Sequence, residues 1–333
     1  MIRTCSHSDT RSTPSAHHER DQHDADAPLR TRRLFGFDFI DEDDLDRVAE
    51  HVLSERGHNG SVPLLVTPNV DYVVRLQAAP AEHLRHAATN ARFVLPDGQP
   101  IVWASRLART PLRARLPGSD LFPKFWQRVV DGDISVVLVT SCAAVAEQLE
   151  REHAGATTVV APWFASDDQV ALDLLAARCA TALAVTKAAF VVMGIGWPKQ
   201  QLLASRVLAS LPPQSPPPLF LLLGAALDMH CGRVERAPAW MQRYGLEWLY
   251  RFRLEPRRLF RRYFVTDMRF IPLAAREVAL QRRLARRVVT SPALTESPSD
   301  GDNEAPDRGV AIATYDGAGD IPELVQSVGS RCA

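Results

Sequence analysis

Short apolar runs rich in valine and leucine recur along the chain at residues 62–66, 93–95, 135–140, 157–161, 189–194 and 218–223. Such runs, bounded by turn residues and lacking strict alternation, read as strands buried on both faces. Between most of them lie stretches with helical periodicity, expected over 70–79, 83–91, 100–108, 143–153, 169–183 and 200–211. Leu45, Val48, Ala49, Val52 and Leu53 behind an acidic first turn predict a further amphipathic helix over 41–56. Strand and helix in alternation give an α/β fold, a mostly parallel sheet with helices on both faces.

A parallel sheet brings the carboxyl ends of its strands to one edge, where open α/β folds bind ligands. The residues predicted at that edge are polar. Thr67-Pro68-Asn69 follows the first strand and Pro96-Asp97-Gly98 the second. Pro96 fixes its own φ and Gly98 frees the backbone after Asp97. A carboxylate placed there is a candidate general base, with Thr67 and Asn69 as neutral hydrogen-bonding partners, although Asp-Gly is also an ordinary turn signal. Gly194-Ile195-Gly196-Trp197-Pro198-Lys199-Gln200 is a glycine-rich loop between strand and helix, suited to a diphosphate. It is not the GxGxxG fingerprint and has no acidic ribose partner at the expected distance, which weakens a nicotinamide dehydrogenase. Arg113 and Arg115 precede a helix start at 117–120, and an arginine fork beside free N–H groups also suits phosphate.

The 333 residues are 46% hydrophobic and 23% charged, with zero formal net charge, so bulk electrostatics select no partner. Five scattered cysteines without CxxC spacing suit a reducing compartment. Residues 1–33 are polar and are expected to form a disordered tail. His7, His17, His18 and His23 within it lack metal-ligand spacing. The expectation is neither a cleaved signal nor a membrane span, since no run approaches the roughly 18 apolar residues a span requires. Charge is uneven, however. Residues 233–287 hold fifteen arginines, no lysine and five acids, whereas residues 290–333 hold eight acids and two arginines. On a helix after Pro256, Arg258, Arg261 and Arg262 fall on one face and Leu259, Phe260, Tyr263 and Phe264 on the other. This face suits a diphosphate at an anionic membrane surface, or else is a solvated face of a helix packed on the core. The run 276–288 has the same two readings. Nucleic-acid binding is an alternative use of the arginines, but no reading module is recognisable.

Motifs in one order and spacing carry a resemblance from about Phe35 to Tyr263. They are Thr67-Pro68-Asn69, Leu95-Pro96-Asp97-Gly98, Arg115 with Pro117-Gly118-Ser119-Asp120-Leu121, Gly194 to Gln200, and Gly224 to Asp228. Gly232, Arg236-Ala237-Pro238-Ala239-Trp240, Leu246-Glu247-Trp248 with Arg251, and Glu255-Pro256 with Arg258, Arg262 and Tyr263 complete them. The chain resembles the WecG/TagA/CpsF family of bacterial glycosyltransferases. The resemblance implies a Rossmann-like core and an inverting hexosyltransferase that moves a sugar from a UDP-sugar to a sugar on membrane-embedded polyprenyl diphosphate. It implies Asp97 as catalytic base with Thr67 and Asn69 beside it. Arg115, Gly194, Gly196, Lys199, Gln200, Gly224, Asp228, Arg251, Arg258, Arg261 and Arg262 match positions expected at substrate. No metal or other cofactor is expected.

The implied organisation is a tail at 1–33, a catalytic core at 34–232, a basic helical appendage at 233–288 that docks on membrane and acceptor, and an acidic tail at 289–333. The implied location is the cytoplasm, peripherally on the inner face of the plasma membrane. A homo-oligomer is left open. Departures from the family pattern fall at Thr140-Ser141, Pro162-Trp163-Phe164, Gln201 and Leu222, expected on loops near the donor. They leave N-acetylmannosamine, its uronic acid and glucose as donor sugars. A scaffold that has lost catalysis is the remaining alternative, against which Thr67, Asn69 and Asp97 stand intact.

Overall fold

The structure, a computed structural model, describes residues 27–54, 61–78, 82–212 and 216–290, leaving out the side chains of Ala239, Arg243, Arg258 and 287–290. Calls for order or disorder in residues 1–26 and 291–333 lie outside the described residues. The chain opens with a hairpin of β1 (Thr31–Leu34) and β2 (Phe37–Ile40). Its two-residue turn, Phe35 and Gly36, has positive φ at both positions, the geometry that matches strand twist. The boundary expected at residue 33 therefore moves back. β1 is polar because its charges are paired, Arg32 with Asp41 at 3.0 Å and Arg33 with Asp38 at 2.7 Å. Even Ala27 is held, its carbonyl accepting from Arg47.

The main sheet is wholly parallel, in the order β4-β3-β8-β7-β5-β6. Its strands are β3 (Val62–Val66), β4 (Ala91–Val94), β5 (Val136–Thr140), β6 (Ala156–Val160), β7 (Phe190–Met193) and β8 (Leu219–Leu222). Successive residues serve opposite cores. Val137, Val139, Val191, Met193, Phe220 and Leu222 join one, and Val136, Leu138, Phe190, Val192, Leu219 and Leu221 the other. This two-sided burial is why the strands read as continuous apolar runs. The helices are α1 (Leu45–Ser54), α2 (Val70–Ala78), α3 (Glu82–Thr89), α4 (Gln99–Leu107), α5 (Gly118–Asp131), α6 (Ala143–Glu152), α7 (Gln169–Thr186) and α8 (Lys199–Ser210). The first core draws on α2, α3, α7 and α8, the second on α1, α5 and α6.

By length and composition α7 is long and apolar enough to cross a membrane, with 18 residues and a mean hydropathy of 1.3, contrary to the sequence expectation. It lies instead along β5 and β6, burying Leu172, Leu175, Cys179 and Leu183 while Val170, Leu174 and Val185 are exposed.

After β8 the chain turns helical in α9 (Ala226–His230), α10 (Ala239–Arg243), α11 (Glu247–Leu254) and α12 (Pro256–Arg261). A π-helical turn at Arg262–Thr266 and a 3₁₀ turn at Asp267–Arg269 then lead into α13 (Phe270–Thr290). Arg261 and Arg262, expected on one arginine face, have different surroundings. Arg261 is exposed, whereas Arg262 turns inward to Asp71 at 3.6 Å. Leu259 is buried, but Phe260 and Phe264 are exposed and pack on each other with ring centroids 5.1 Å apart. α13 returns to the core. Phe270 meets Phe35 at 5.2 Å, and Leu273, Ala274 and Val278 pack on the same cluster.

Gln201 is no loop residue. It is fully buried in α8, accepting from the Tyr72 hydroxyl at 2.8 Å and donating to the Leu84 carbonyl at 2.6 Å, which ties α8 to α2 and α3. Tyr72→Phe strands a buried amide oxygen, and urea unfolding should show a loss of about 1–3 kcal/mol.

Candidate active site

The ends of β3 and β4 are joined beyond the strands themselves. Leu95 N–H donates to the Val66 carbonyl at 2.9 Å and Asp97 N–H to that of Pro68 at 3.0 Å. Leu116 N–H, from the loop before α5, donates to the Pro96 carbonyl at 2.8 Å. Asp97 is thus placed by three segments. Gly98 is not the turn residue expected, since its φ of −171° is extended backbone and it caps the start of α4. Asn69 starts α2 in the same way, its side-chain oxygen accepting from Tyr72 N–H at 3.0 Å.

Thr67, Asn69 and Asp97 line a cavity of about 320 Å³ with Gly196, Gln200, Gly224, Arg251 and Arg262, all named from the sequence. Its wall includes residues to which the sequence reading gave no individual role, chiefly Asp71 and Tyr72, and Ser119, Trp197 and Glu247 from the motifs that carry the resemblance. Gln200 is buried and accepts from Gly224 N–H at 3.1 Å, fixing the loop after β8. Gly224 has φ +59°, the left-handed region that favours glycine.

Arg115 reaches the cavity through Glu247. Its Nη1 donates to one Glu247 oxygen at 3.0 Å while Arg251 donates to the other at 2.9 Å. Beside them Arg236 pairs with Asp120 at 2.5 Å. Other predicted residues stand apart. A side chain on Gly194 would come within 2.7 Å of the Val139 carbonyl and 2.9 Å of Leu227, so this glycine serves close packing. Lys199 lies over the Phe164 ring at 4.6 Å and Asp228 accepts from Ser141 at 2.5 Å, each thereby meeting a position that departs from the family pattern. Arg261 is exposed and outside the cavity lining, and the Arg258 side chain lies outside the described residues.

Loss of hydration pushes the Asp97 carboxyl up to about 7. Arg115 and Arg251 pull it down, and Glu247 and Asp120 push it up. The carboxyl therefore changes charge near neutrality, the range in which a general base works best. Glu247 itself is held low by Arg251 and Arg115 against the opposing effect of its burial. Asp267, buried beside Arg262 and Asp71, is pushed up to about 6. Among the described residues no three His, Cys, Asp or Glu side chains gather as a metal site.

A carboxyl of this kind, set among arginines at the carboxyl edge of a parallel sheet, belongs to the α/β enzymes that work at a topological switch point. The chain is a member of the glycosyl transferase WecG/TagA/CpsF family, whose profile matches residues 32–284. It is therefore a glycosyltransferase. A protein of Bacillus spizizenii named N-acetylglucosaminyldiphosphoundecaprenol N-acetyl-beta-D-mannosaminyltransferase is 25% identical over 235 residues, 69% of this chain and 86% of that protein. A Bacillus subtilis protein of the same name is 25% identical over 212 residues, 64% of this chain and 78% of its own.

The raised Asp97 carboxyl also makes a stability prediction. Its ordinary value is 3.8, so between there and about 7 folding increasingly holds a proton that the unfolded chain releases. The resulting cost grows with pH and is complete above about 7. Asp97→Asn should consequently raise the thermal midpoint most at about pH 8, with the gain shrinking toward about pH 4.

Proposed function

We propose that the chain moves a hexosyl group from a UDP-sugar to a sugar carried on polyprenyl diphosphate, with Asp97 as the base. The acceptor class comes from the names of the two Bacillus relatives, which put N-acetylmannosaminyl on N-acetylglucosaminyl-diphosphoundecaprenol. The observation that carries the mechanism is the Asp97 carboxyl, ionising near neutrality on the floor of a cavity edged by arginines. In the reaction the acceptor hydroxyl attacks the anomeric carbon and its proton passes to Asp97. The bond from that carbon to the donor phosphate breaks with inversion, and the electron pair leaves on the UDP. Arg115, Arg251 and Arg262 are the cations available to that charge, with Gly224 and Gly196 admitting the phosphates close to the backbone.

The surface beyond the cavity supports a lipid-borne acceptor. Trp240, Tyr244, Trp248, Leu254, Phe260 and Phe264 are exposed between α10 and the π turn, interleaved with exposed Arg253, Arg257 and Arg261. Aromatic and arginine side chains together suit the headgroup layer of an anionic membrane. We assign this surface to the inner face of the plasma membrane.

Radiolabelled UDP-N-acetylmannosamine, its uronic acid and UDP-glucose, each offered with a short-chain prenyl-diphosphate N-acetylglucosamine acceptor, test the reading. One donor should be transferred, and Asp97→Asn should lower turnover by about a hundredfold or more. Transfer from none of them, or wild-type turnover by the variant, would refute it. For the membrane surface, Arg253, Arg257 and Arg261 each contribute about 1 kcal/mol near anionic lipid. Their joint replacement by Gln should reduce salt-sensitive sedimentation with phosphatidylglycerol vesicles and leave binding of free UDP unchanged.

A further inference from the structure

Glu247 occupies an unusual place. It is the first residue of α11 and is largely buried, with each carboxylate oxygen taken by a different arginine, Arg115 from the core loop and Arg251 one turn along its own helix. Both arginines are cations the transfer reaction needs for phosphate, and Glu247 shares the cavity wall with Thr67, Asn69 and Asp97. A carboxylate forked by two arginines has the charge and the acceptor spacing of a phosphate group.

We propose that Glu247 is a positioning residue that holds Arg115 and Arg251 together in place of a substrate diphosphate, and hands them over when the diphosphate enters. The inference rests on the reading of this cavity as the place where a substrate diphosphate meets Arg115 and Arg251. With no substrate present, Glu247 closes α11 onto the core and keeps the largely buried Arg115 guanidinium, beside the more exposed Arg251, from standing uncompensated. When a diphosphate takes the arginines, the Glu247 charge is left beside it, so product leaves readily once transfer is done.

The groups facing Asp97 are Arg115 from the loop before α5, Asp120 from α5, and Glu247 and Arg251 from α11. Glu247 also faces Arg236. Replacing its charge removes one group that raises the Asp97 carboxyl and unmasks two that lower it. The sign is therefore fixed.

The test uses the full chain carrying Glu247→Gln. Carbon-13 NMR should find Asp97, assigned by its disappearance in Asp97→Asn, titrating about one pH unit lower than in the wild type. Calorimetry should find inorganic pyrophosphate bound several-fold more tightly, because it no longer competes with a resident carboxylate. Arms with UDP and with the short-chain prenyl-diphosphate acceptor tell which substrate takes the arginines, by which of the two gains affinity. A merely structural Glu247 would lower stability and turnover without raising the affinity for pyrophosphate. An Asp97 titration that stays in place, or pyrophosphate affinity that does not rise, overturns the proposal. Should Glu247→Gln lose its circular dichroism, the wild-type protein decides, since pyrophosphate must displace the Arg115 Nε resonance and an unmoved resonance overturns the proposal equally. The titration reads the carboxyl itself, so wild-type turnover by Asp97→Asn would strike only the assignment of Asp97 as base.

Discussion

Two backbone hydrogen bonds beyond the ends of β3 and β4, Leu95 to Val66 and Asp97 to Pro68, hold the candidate site in place. They extend the parallel ladder past the point where side chains cease to be apolar, so a carboxyl and an amide are carried forward on a backbone as fixed as the core. Gly118 closes the arrangement from the third side. A side chain there would press within 3.3 Å of Thr67 and 3.1 Å of Leu223, so the start of α5 approaches the strand ends as closely as atoms allow. The raised carboxyl of Asp97 follows from the loss of hydration at this strand end, against the pull of Arg115 and Arg251.

The sheet was legible because strands buried on both faces must be apolar throughout, and no other element reads that way at such lengths. Thr67, Asn69 and Asp97 were legible for a related reason, as the first polar residues past such runs. Glu247 was not. Its partner Arg115 lies 132 residues away, and nothing local marks Glu247, among five acids and fifteen arginines, as the one that reaches the core loop. Arg262 failed differently. It was read with Arg258 and Arg261 as one face, but its partner Asp71 lies far upstream in α2, which nothing in the arginine run marks. The hairpin start was hidden because paired charges, rather than apolar burial, hold β1. Gly98 and Gly194 keep their interest with altered reasons, one lying extended at a helix start and the other admitting a carbonyl and a leucine.

Acids from both parts explain how so basic a segment lies against an enzyme core. Arg115 and Arg236, one from each part, are answered across the boundary by Glu247 and Asp120, and Arg262 is answered by Asp71. Arginines paired in this way are positioned by the fold. Arg253, Arg257 and Arg261, which are exposed, carry the charge that an outside surface meets. Division of the arginines into held and free sets separates substrate chemistry from surface attraction within one short stretch.

The contact of Phe35 with Phe270 joins the first hairpin to the last described helix, and Gln281 adds a hydrogen bond to the Arg33 carbonyl. Some 235 residues separate the two phenylalanines, so this closure is among the most distant in sequence that the fold contains. As the chain leaves the ribosome, the hairpin is made early, and its turn waits for this partner until the catalytic core has been synthesised. Phe37 meets Tyr72 of α2 long before then, whereas Phe35 at the turn stays bare for that interval, and completion of α13 is the event that ends its exposure.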